Sequence, residues 1–221
     1  MWRKIFMKKK LSKKNIVITG ASGDIAQELI QRLEGHNLIL ISRSLPQPVI
    51  PDKVDILINN AGFGEFSALT NLSDEQIDEM FKVNTLDLIK RTRDLQPQLQ
   101  VINIASIAGK LPTAKSTVYA ASKAAVLAFS DALRLEIPGL IVTTVNTGPV
   151  LTKFHKGNAD YLEKVGKNAV SADYVAGKIE QVLGKNKREM NLPPQLAFVA
   201  KVRALFPALV DNIGNKFFNY K

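Results

Sequence analysis

Five short apolar runs, rich in β-branched residues, divide the chain at fairly regular intervals. They show no polar alternation, which is typical of strands buried on both faces of a parallel sheet. Segments with helical spacing separate most of them, so the pattern predicts an α/β protein with a doubly wound parallel sheet. The five predicted strands are Asn15–Thr19, Asn37–Ile41, Val54–Ile58, Val101–Ala105 and Leu140–Val145.

A helix is predicted to begin at Ser73, because this serine and Gln76 have the spacing of a capping box. The helical pattern continues past Phe81 and places Asn84 near the middle of the helix. Asparagine is an indifferent helix former, since its side chain competes for backbone hydrogen bonds. Asn84 therefore indicates a role other than packing. A last clear helix is predicted over residues 171–183.

The first predicted strand leads directly into a glycine-containing turn, Gly20–Ala26, and then into a helical pattern. A strand, a glycine turn and a helix form the context in which a helix N-terminus binds a pyrophosphate. The second strand ends at Ser42-Arg43-Ser44, the place where dinucleotide-binding domains meet the adenosine ribose. An arginine there suits the 2′-phosphate of NADP, whereas an acid would bind the 2′-hydroxyl of NAD. A surface arginine without a ligand is the alternative interpretation.

Tyr119 and Lys123 stand four residues apart at the start of a helical run that continues to Glu136. Side chains at this spacing project from one helix face, one turn apart. A phenol titrates near pH 10 in water, and a neighbouring ammonium favours its charged form. The pair could therefore act as an acid–base device. The alternative is a packed tyrosine beside a solvated lysine.

Composition narrows the class of protein. A length of 221 residues with 46% hydrophobic and 23% charged residues fits one soluble globular domain. The chain has no cysteine and two histidines, so neither disulfides nor a thiolate or histidine metal site is predicted, and a cytoplasmic location is expected. The net charge is +10, and seven of the first fourteen residues are basic. This arm, residues 1–14, lacks the apolar core of a signal peptide and is expected to be solvated.

Taken together, these motifs resemble the short-chain dehydrogenase/reductase family over roughly residues 15–192. The resemblance rests on Thr19-Gly20 with its glycine turn, Asn59-Asn60-Ala61-Gly62, Asn84, Ser106, Tyr119 with Lys123, and the turn Gly148-Pro149-Val150 with Thr152. The motifs occur in the order of the family, and Ser106 precedes Tyr119 by the thirteen residues typical of it. The implied fold is a Rossmann-like three-layer α/β/α sandwich.

The resemblance implies a catalytic tetrad and a nicotinamide cofactor. Tyr119 would be the general acid/base, and Lys123 would lower its pKa and hold the nicotinamide ribose. Ser106 would polarise the substrate carbonyl, and Asn84 would hold a water in the proton relay behind Lys123. The cofactor-binding residues implied are Gly20, Ser22, Gly23, Asp24, Ile25, Arg43, Asn60, Ala61, Gly62, Tyr119, Lys123, Pro149, Val150 and Thr152, with NADP(H) preferred over NAD(H) because of Arg43. No metal is implied.

The chain departs from the family pattern at two places. It has Asp24 and Ala26 where the family normally has glycines, and the carboxylate is expected to weaken pyrophosphate binding. Between Arg43 and Val54 the family normally has a helix, a strand and a second helix, but this chain has only ten proline-rich residues. We therefore predict a sheet without the usual third strand, with the second strand at its edge. The adenine half of the cofactor is then expected to be poorly enclosed and its binding weak.

The tail, residues 193–221, is apolar with helical spacing and a kink expected at Pro207. It is too broken to span a bilayer. It either packs on the domain beside the substrate pocket, which is preferred, or contacts an anionic membrane surface as a peripheral segment.

The leading hypothesis is therefore an NADP(H)-dependent oxidoreductase that interconverts a carbonyl and a secondary alcohol on a fairly apolar small molecule. The rival hypothesis is a member of the family that has lost cofactor binding and acts as a non-catalytic binding or scaffold protein. No basic patch interleaved with aromatic residues is present, so nucleic-acid binding is not predicted. By analogy with the family, a homodimer or homotetramer is expected.

Overall fold

Parallel strands form the middle layer of the protein. The computed structural model describes residues 11–155 and 169–217, without the side chains of His155 and of residues 213–217; most of the predicted basic arm and the end of the tail lie outside these residues. The strands are β1 (Asn15–Thr19), β2 (Asn37–Ile41), β3 (Ile56–Asn59), β4 (Gln100–Ile104), β5 (Ile141–Thr147), β6 (Val150–Leu151), β7 (Val170–Ser171) and β8 (Glu189–Leu192). Six of them form one parallel sheet in the order β2-β1-β3-β4-β5-β8, while β6 and β7 pair separately.

Helices cover both faces of this sheet. They are α1 (Asp24–Arg32), α2 (Asp74–Phe81), α3 (Asp87–Leu95), α4 (Thr117–Glu136), α5 (Ala172–Glu180), α6 (Gln195–Leu205) and α7 (Pro207–Phe217). Apolar residues of α1 and α5 pack on one face, and those of α3 and α4 pack on the other. The predicted doubly wound α/β fold is confirmed.

Strand β1 illustrates why the runs are continuously apolar. Ile16 and Ile18 belong to the core under α1 and α5, whereas Val17 belongs to the core on the opposite face. Alternate side chains point to opposite faces, so both sets must be apolar when helices cover both. The observed bounds of β3, β4 and β5 differ from the predicted ones by one or two residues. Strand β8, which the sequence does not predict, adds a sixth strand beside β5.

The edge position of β2 is also as predicted. Residues 42–55 join β2 to β3 and, throughout this described segment, contain neither a helix nor a strand. The sheet order leaves β2 paired with β1 alone. The short connection therefore crosses to the other side of β1 without adding a strand.

The helix predicted around Asn84 is confirmed, since helical backbone runs from Asp74 to Leu95, but it contains one irregular turn that the sequence does not predict. Ser73 caps α2 with the predicted capping box, but α2 ends at Phe81 and Lys82–Leu86 form a π-helical turn before α3 begins. A π turn accommodates an extra residue and commonly occurs at functional sites. Bonds of Asn84 to groups outside its own helix, described below, give a physical reason for this local geometry. The last predicted helix ends at Glu180 rather than at residue 183.

The tail forms two helices that separate at Phe206, directly before Pro207, where the sequence predicts a kink. A guanidinium N–H of Arg203 (Nη1) donates to the carbonyl oxygen of Lys110 at 3.1 Å. Leu196 lies so close to Gly148 that a Cβ on this glycine would be 2.9 Å from Leu196 Cδ1. Among the described residues, none of the helices has the length and apolar character needed to cross a membrane.

Candidate active site

A cavity of about 620 Å³ opens at the carboxyl ends of the central strands. This edge of an open parallel sheet is where ligands generally bind, and the volume is that of a small-molecule or cofactor site. Of the predicted site residues, all except Asn84 line this cavity. The last residues of five strands contribute to its floor: Thr19, Ile41, Asn59, Ile104 and Thr147.

Gly20 begins the turn between β1 and α1, and no other residue fits its position. Its φ is +63°, and a Cβ there would lie 2.7 Å from Ala61 Cα. The turn is fastened to the end of β3, because Thr19 Oγ1 accepts hydrogen bonds from the backbone N–H groups of Asn60 and Ala61, both at 3.0 Å. The side-chain amide of Asn60 donates in return to the carbonyl oxygens of Thr19 and Gly20 at 3.1 Å.

The N-terminus of α1 fits a pyrophosphate. Its N-cap is Gly23, and no side chain caps the first turn, so the amides of that turn are available to an anion. A Cβ on Gly23 would lie 3.2 Å from the carbonyl oxygen of Gly20, which shows how closely the turn is folded. Asp24, which the sequence suggests would oppose an anion, turns its Oδ2 to the backbone N–H of Lys153 at 2.6 Å.

Three hydroxyls gather where β2 ends. Ser42 Oγ lies 3.0 Å from Ser22 Oγ and 3.0 Å from Ser44 Oγ. Arg43 lies between Ser42 and Ser44 in the sequence, and its side chain is 88% exposed. Its Nη1 lies 3.5 Å from Glu79 Oε1. Exposed ion pairs of this kind contribute little stability, so Arg43 can exchange Glu79 for another anion at small cost.

Tyr119 and Lys123 lie in the first two turns of α4, and both are buried. Lys123 Nζ donates a hydrogen bond to the carbonyl oxygen of Ile104 at 3.1 Å and lies 5.9 Å from the centre of the Tyr119 ring. Burial disfavours the charged ammonium and lowers the pKa of Lys123 to about 8. At pH 7 the group is therefore still mostly protonated, next to the phenol.

Asn84 lies behind the cavity and is fully buried. Its side-chain oxygen accepts from the N–H of Phe63 at 2.9 Å, and its side-chain nitrogen donates to Phe63 O and Ser122 Oγ at 2.9 and 3.1 Å. Asn84 and Lys123 both lie against Gly62: a Cβ there would be 3.1 Å from Asn84 Oδ1 and 3.2 Å from Lys123 Nζ. The glycine thus allows the two polar groups to approach the cavity floor together.

Ser106 follows β4 and shares the cavity with Tyr119. Its hydroxyl accepts a hydrogen bond from the N–H of Ala108 at 3.1 Å and donates to the carbonyl oxygen of Thr147 at 3.3 Å. The second bond is long, so the hydroxyl hydrogen can turn to a ligand at a modest energetic cost.

Two aromatic residues beside Tyr119 were not anticipated from the sequence. The ring of Phe66 lies 5.2 Å from that of Tyr119, the ring of Phe154 lies 6.0 Å from it, and the two phenylalanines are 6.4 Å apart. Both also line the cavity. They are distant in the sequence and carry no motif, so only the fold brings them together. We call Phe66 and Phe154 the aromatic wall.

The cavity thus combines a phenol, a buried cation, a hydroxyl and an uncapped helix N-terminus. The first three can exchange a proton with an oxygen atom and stabilise charge on it. The fourth, with the hydroxyls at the end of β2, can bind phosphate groups. This arrangement suits a phosphate-containing cofactor beside a small oxygen-containing substrate.

Comparisons with known proteins agree with this site. Residues 47–163 match the family model described as short chain dehydrogenase. An uncharacterized oxidoreductase of Staphylococcus epidermidis is 28% identical over 228 residues, covering 84% of this chain and 99% of the relative. The uncharacterized oxidoreductase YbbO of Escherichia coli is 27% identical over 251 residues, covering 91% and 93%.

Solved structures agree as well. A short-chain dehydrogenase from Sphingobium yanoikuyae in complex with NADPH superposes with a TM-score of 0.75 at 21% identity, covering 91% of this chain and 95% of that one. The fold, the cavity at the strand ends and the family match converge on one assignment. The chain belongs to the short-chain dehydrogenase/reductase family and is an NAD(P)-dependent oxidoreductase acting on CH–OH groups.

Proposed function

We propose that the protein is an NADP(H)-dependent oxidoreductase that interconverts a carbonyl and a secondary alcohol on a fairly apolar small molecule. The observation that carries this proposal is the buried ammonium of Lys123, 5.9 Å from the ring of Tyr119 in the cavity at the strand ends. Burying a cation lowers the stability of the folded protein, so a buried ammonium group is unusual outside functional sites. Groups with a perturbed pKa concentrate at such sites.

In this proposal Tyr119 is the general acid in reduction and the general base in oxidation. Its hydroxyl gives a proton to the substrate oxygen as the carbonyl becomes an alcohol, and the charge of Lys123 favours the phenolate left behind. Ser106 turns its hydroxyl from Thr147 to the substrate oxygen and polarises it. A nicotinamide cofactor, when bound, would supply or accept the hydride. Asn84 keeps Phe63 and Ser122 in place behind Lys123.

The cofactor would lie along the groove from α1 to α4. Gly20, Ser22, Gly23 and Ile25 would bind the pyrophosphate with backbone and hydroxyl donors. Lys123, whose described hydrogen bond uses one of its three donors, would hold the nicotinamide ribose with another. The remaining proposed contacts are Asn60, Ala61, Gly62, Pro149, Val150 and Thr152, which all line the cavity.

The preference for NADP(H) rests on the end of β2. Arg43 is exposed and weakly paired, and the hydroxyl of Ser42 lies within hydrogen-bond distance of those of Ser22 and Ser44. An arginine with several hydroxyl donors suits a phosphate better than it suits a ribose hydroxyl. The bound NADPH of the Sphingobium structure is consistent with this proposal.

The aromatic wall supports an apolar substrate. Phe66 and Phe154 flank Tyr119, and the lining of the same cavity also includes Ala108 and Leu111. Such a lining favours aliphatic or aromatic groups beside the reacting carbon, since burying their surface stabilises the complex. Sugars and other highly hydroxylated compounds would leave polar groups without partners.

A non-catalytic binding role is the second candidate, and the connection between β2 and β3 favours it. Residues 42–55 supply no strand or helix beside the adenine end of the groove. We propose that cofactor binding is consequently weak but present. Calorimetric titration distinguishes the candidates: a folded protein that binds neither NADPH nor NADH at millimolar concentration supports the non-catalytic role.

The main proposal is tested by turnover. Purified protein would be mixed with NADPH and a panel of aliphatic ketones, aryl ketones, aldoses and ketoses, and absorbance followed at the NADPH band. We expect oxidation of NADPH with apolar ketones, slower oxidation with sugars, and slower rates when NADH replaces NADPH. Turnover that prefers sugars would overturn the assigned substrate class, and equal rates with the two cofactors would overturn the assigned cofactor.

A further inference from the structure

Asp24 and the turn after β6 form a contact across the cavity. The carboxylate Oδ2 of Asp24, in the first turn of α1, accepts a hydrogen bond from the backbone N–H of Lys153 at 2.6 Å. The two residues are 129 positions apart in the sequence, and both line the cavity. A side chain at the cofactor end of the groove therefore holds the backbone of a segment from the other side.

The segment that Asp24 holds leads directly to the substrate side of the site. Lys153 precedes Phe154, one of the two residues of the aromatic wall. The ring of Phe154 packs 6.0 Å from that of Tyr119 and 6.4 Å from that of Phe66. Two adjacent residues of one turn are thus fixed at different places, Lys153 by a hydrogen bond to α1 and Phe154 by ring contacts beside the proposed general acid.

Asp24 also stands where the family pattern normally has a glycine, and a glycine could not make this bond. A carboxylate in the first turn of α1 has a favourable interaction with the helix dipole but repels a nearby phosphate. The contact with Lys153 gives the carboxylate a structural role there, because its Oδ2 accepts a hydrogen bond from the segment across the cavity. Hydrogen bonds to ionised acceptors are stronger than those between neutral groups, which suits a tether at a partly exposed place.

We propose that Asp24 is a positioning residue that fastens the turn Thr152–Phe154 to α1 and thereby sets the aromatic wall beside Tyr119. This inference rests on the proposed function for its catalytic consequence but not for the tether itself. Without the bond the turn loses this attachment to α1, so the aromatic wall samples positions that contact a substrate less well.

Two variants at this position separate the tether from the charge. Asp24→Asn removes the charge and keeps an oxygen that can accept from Lys153 N–H, whereas Asp24→Ala removes both. Any effect of the lost charge on cofactor binding is therefore common to the two variants. The difference between them reports the hydrogen bond.

The first test needs neither cofactor nor substrate. Hydrogen–deuterium exchange of the Lys153 amide would be measured by NMR in wild type, Asp24→Asn and Asp24→Ala. We expect exchange about threefold or more faster in Asp24→Ala than in wild type, with Asp24→Asn between the two because its neutral oxygen accepts a weaker hydrogen bond. Equal exchange in all three proteins would overturn the tether, whatever the enzymatic activity proves to be.

The second test measures the catalytic consequence. For an apolar ketone at saturating NADPH, we expect KM to rise about three- to tenfold in Asp24→Ala relative to Asp24→Asn, with kcat within about twofold. A purely structural role would lower the amount of folded protein and leave KM unchanged. If Asp24→Ala exchanges faster at Lys153 but has the KM of Asp24→Asn, the link to the aromatic wall is wrong.

Discussion

The side chain of Lys123 reaches from α4 to the end of β4, where its Nζ donates a hydrogen bond to the carbonyl oxygen of Ile104 at 3.1 Å. The contact fixes a cation inside the protein, and burial lowers the pKa of this lysine from 10.5 to about 8. One pKa unit corresponds to about 1.4 kcal/mol, so keeping the ammonium buried costs up to about 3 kcal/mol of stability.

This cost predicts a pH-dependent stability. The unfolded chain binds the lysine proton more tightly than the folded protein, so stability falls as pH decreases from about 10.5 to 8 and changes no further below 8. Lys123→Met should therefore be more stable than wild type at pH 7, by up to about 3 kcal/mol, with the difference shrinking as pH rises toward 10. Urea unfolding at pH 7, 8, 9 and 10 measures it. The matched control is exposed Lys90→Met, for which we expect no such trend; a pH-independent difference for Lys123→Met would contradict the account.

The second prediction concerns Gly62. An alanine methyl would lie 3.1 Å from Asn84 Oδ1 and 3.2 Å from Lys123 Nζ, so at least one of these groups must move. We expect Gly62→Ala to lose about 1–3 kcal/mol of stability and to lower kcat about tenfold or more. Gly35→Ala is the control, because nothing lies within 4 Å of the methyl it would add. Similar kinetics for the two variants would show that Lys123 needs no precise placement.

The third prediction concerns the cofactor preference. Arg43→Ala should raise the Kd for NADPH about tenfold while leaving that for NADH within about twofold, because only NADPH carries the 2′-phosphate. Calorimetry with both cofactors measures the ratio. Arg93, an exposed arginine paired with Asp94, supplies the control Arg93→Ala. An equal loss for both cofactors in Arg43→Ala would place Arg43 elsewhere than at the 2′-phosphate.

The fourth prediction concerns the aromatic wall. Phe66→Ala removes a ring that lies 5.2 Å from Tyr119 and should raise KM for an apolar ketone about tenfold, with a smaller change in kcat. Phe198→Ala removes a ring on α6 that is 72% exposed and should leave KM unchanged. Should Phe66→Ala bind the ketone as tightly as wild type, the substrate does not contact this wall.

Much of the fold could be predicted from the sequence because burial on both faces leaves a plain signal. Ile16–Ile18 in β1 and Leu38–Ile41 in β2 are uninterrupted apolar runs, and the predicted bounds of both strands are those observed. Strand β8 could not be predicted in this way, because Glu-Met-Asn-Leu contains no β-branched residue and its polar and apolar residues alternate. It forms because β5 offers a partner along four residues.

The candidate active site could likewise be predicted only in part from the sequence. The glycine turn, Ser106, Tyr119 and Lys123 carry short motifs, so the sequence indicates them and the fold places them around one cavity. The π turn at Asn84 accompanies hydrogen bonds of its side chain to Phe63 and Ser122, which no local pattern reveals. Likewise, the contact between Asp24 and Lys153 joins residues 129 positions apart. Such relationships exist only after the chain has folded.

Tyr119→Phe tests the central claim most directly, because it removes a single oxygen atom and leaves the ring contacts of the aromatic wall in place. NADPH affinity and NADPH-dependent reduction of an apolar ketone would be measured on the same preparation as wild type. We predict a Kd for NADPH within about threefold of wild type and a kcat lowered by about 10²-fold or more, since a general acid contributes 10²–10⁴-fold. A variant that binds NADPH normally and reduces the ketone at the wild-type rate would contradict the assignment of Tyr119 as the proton donor.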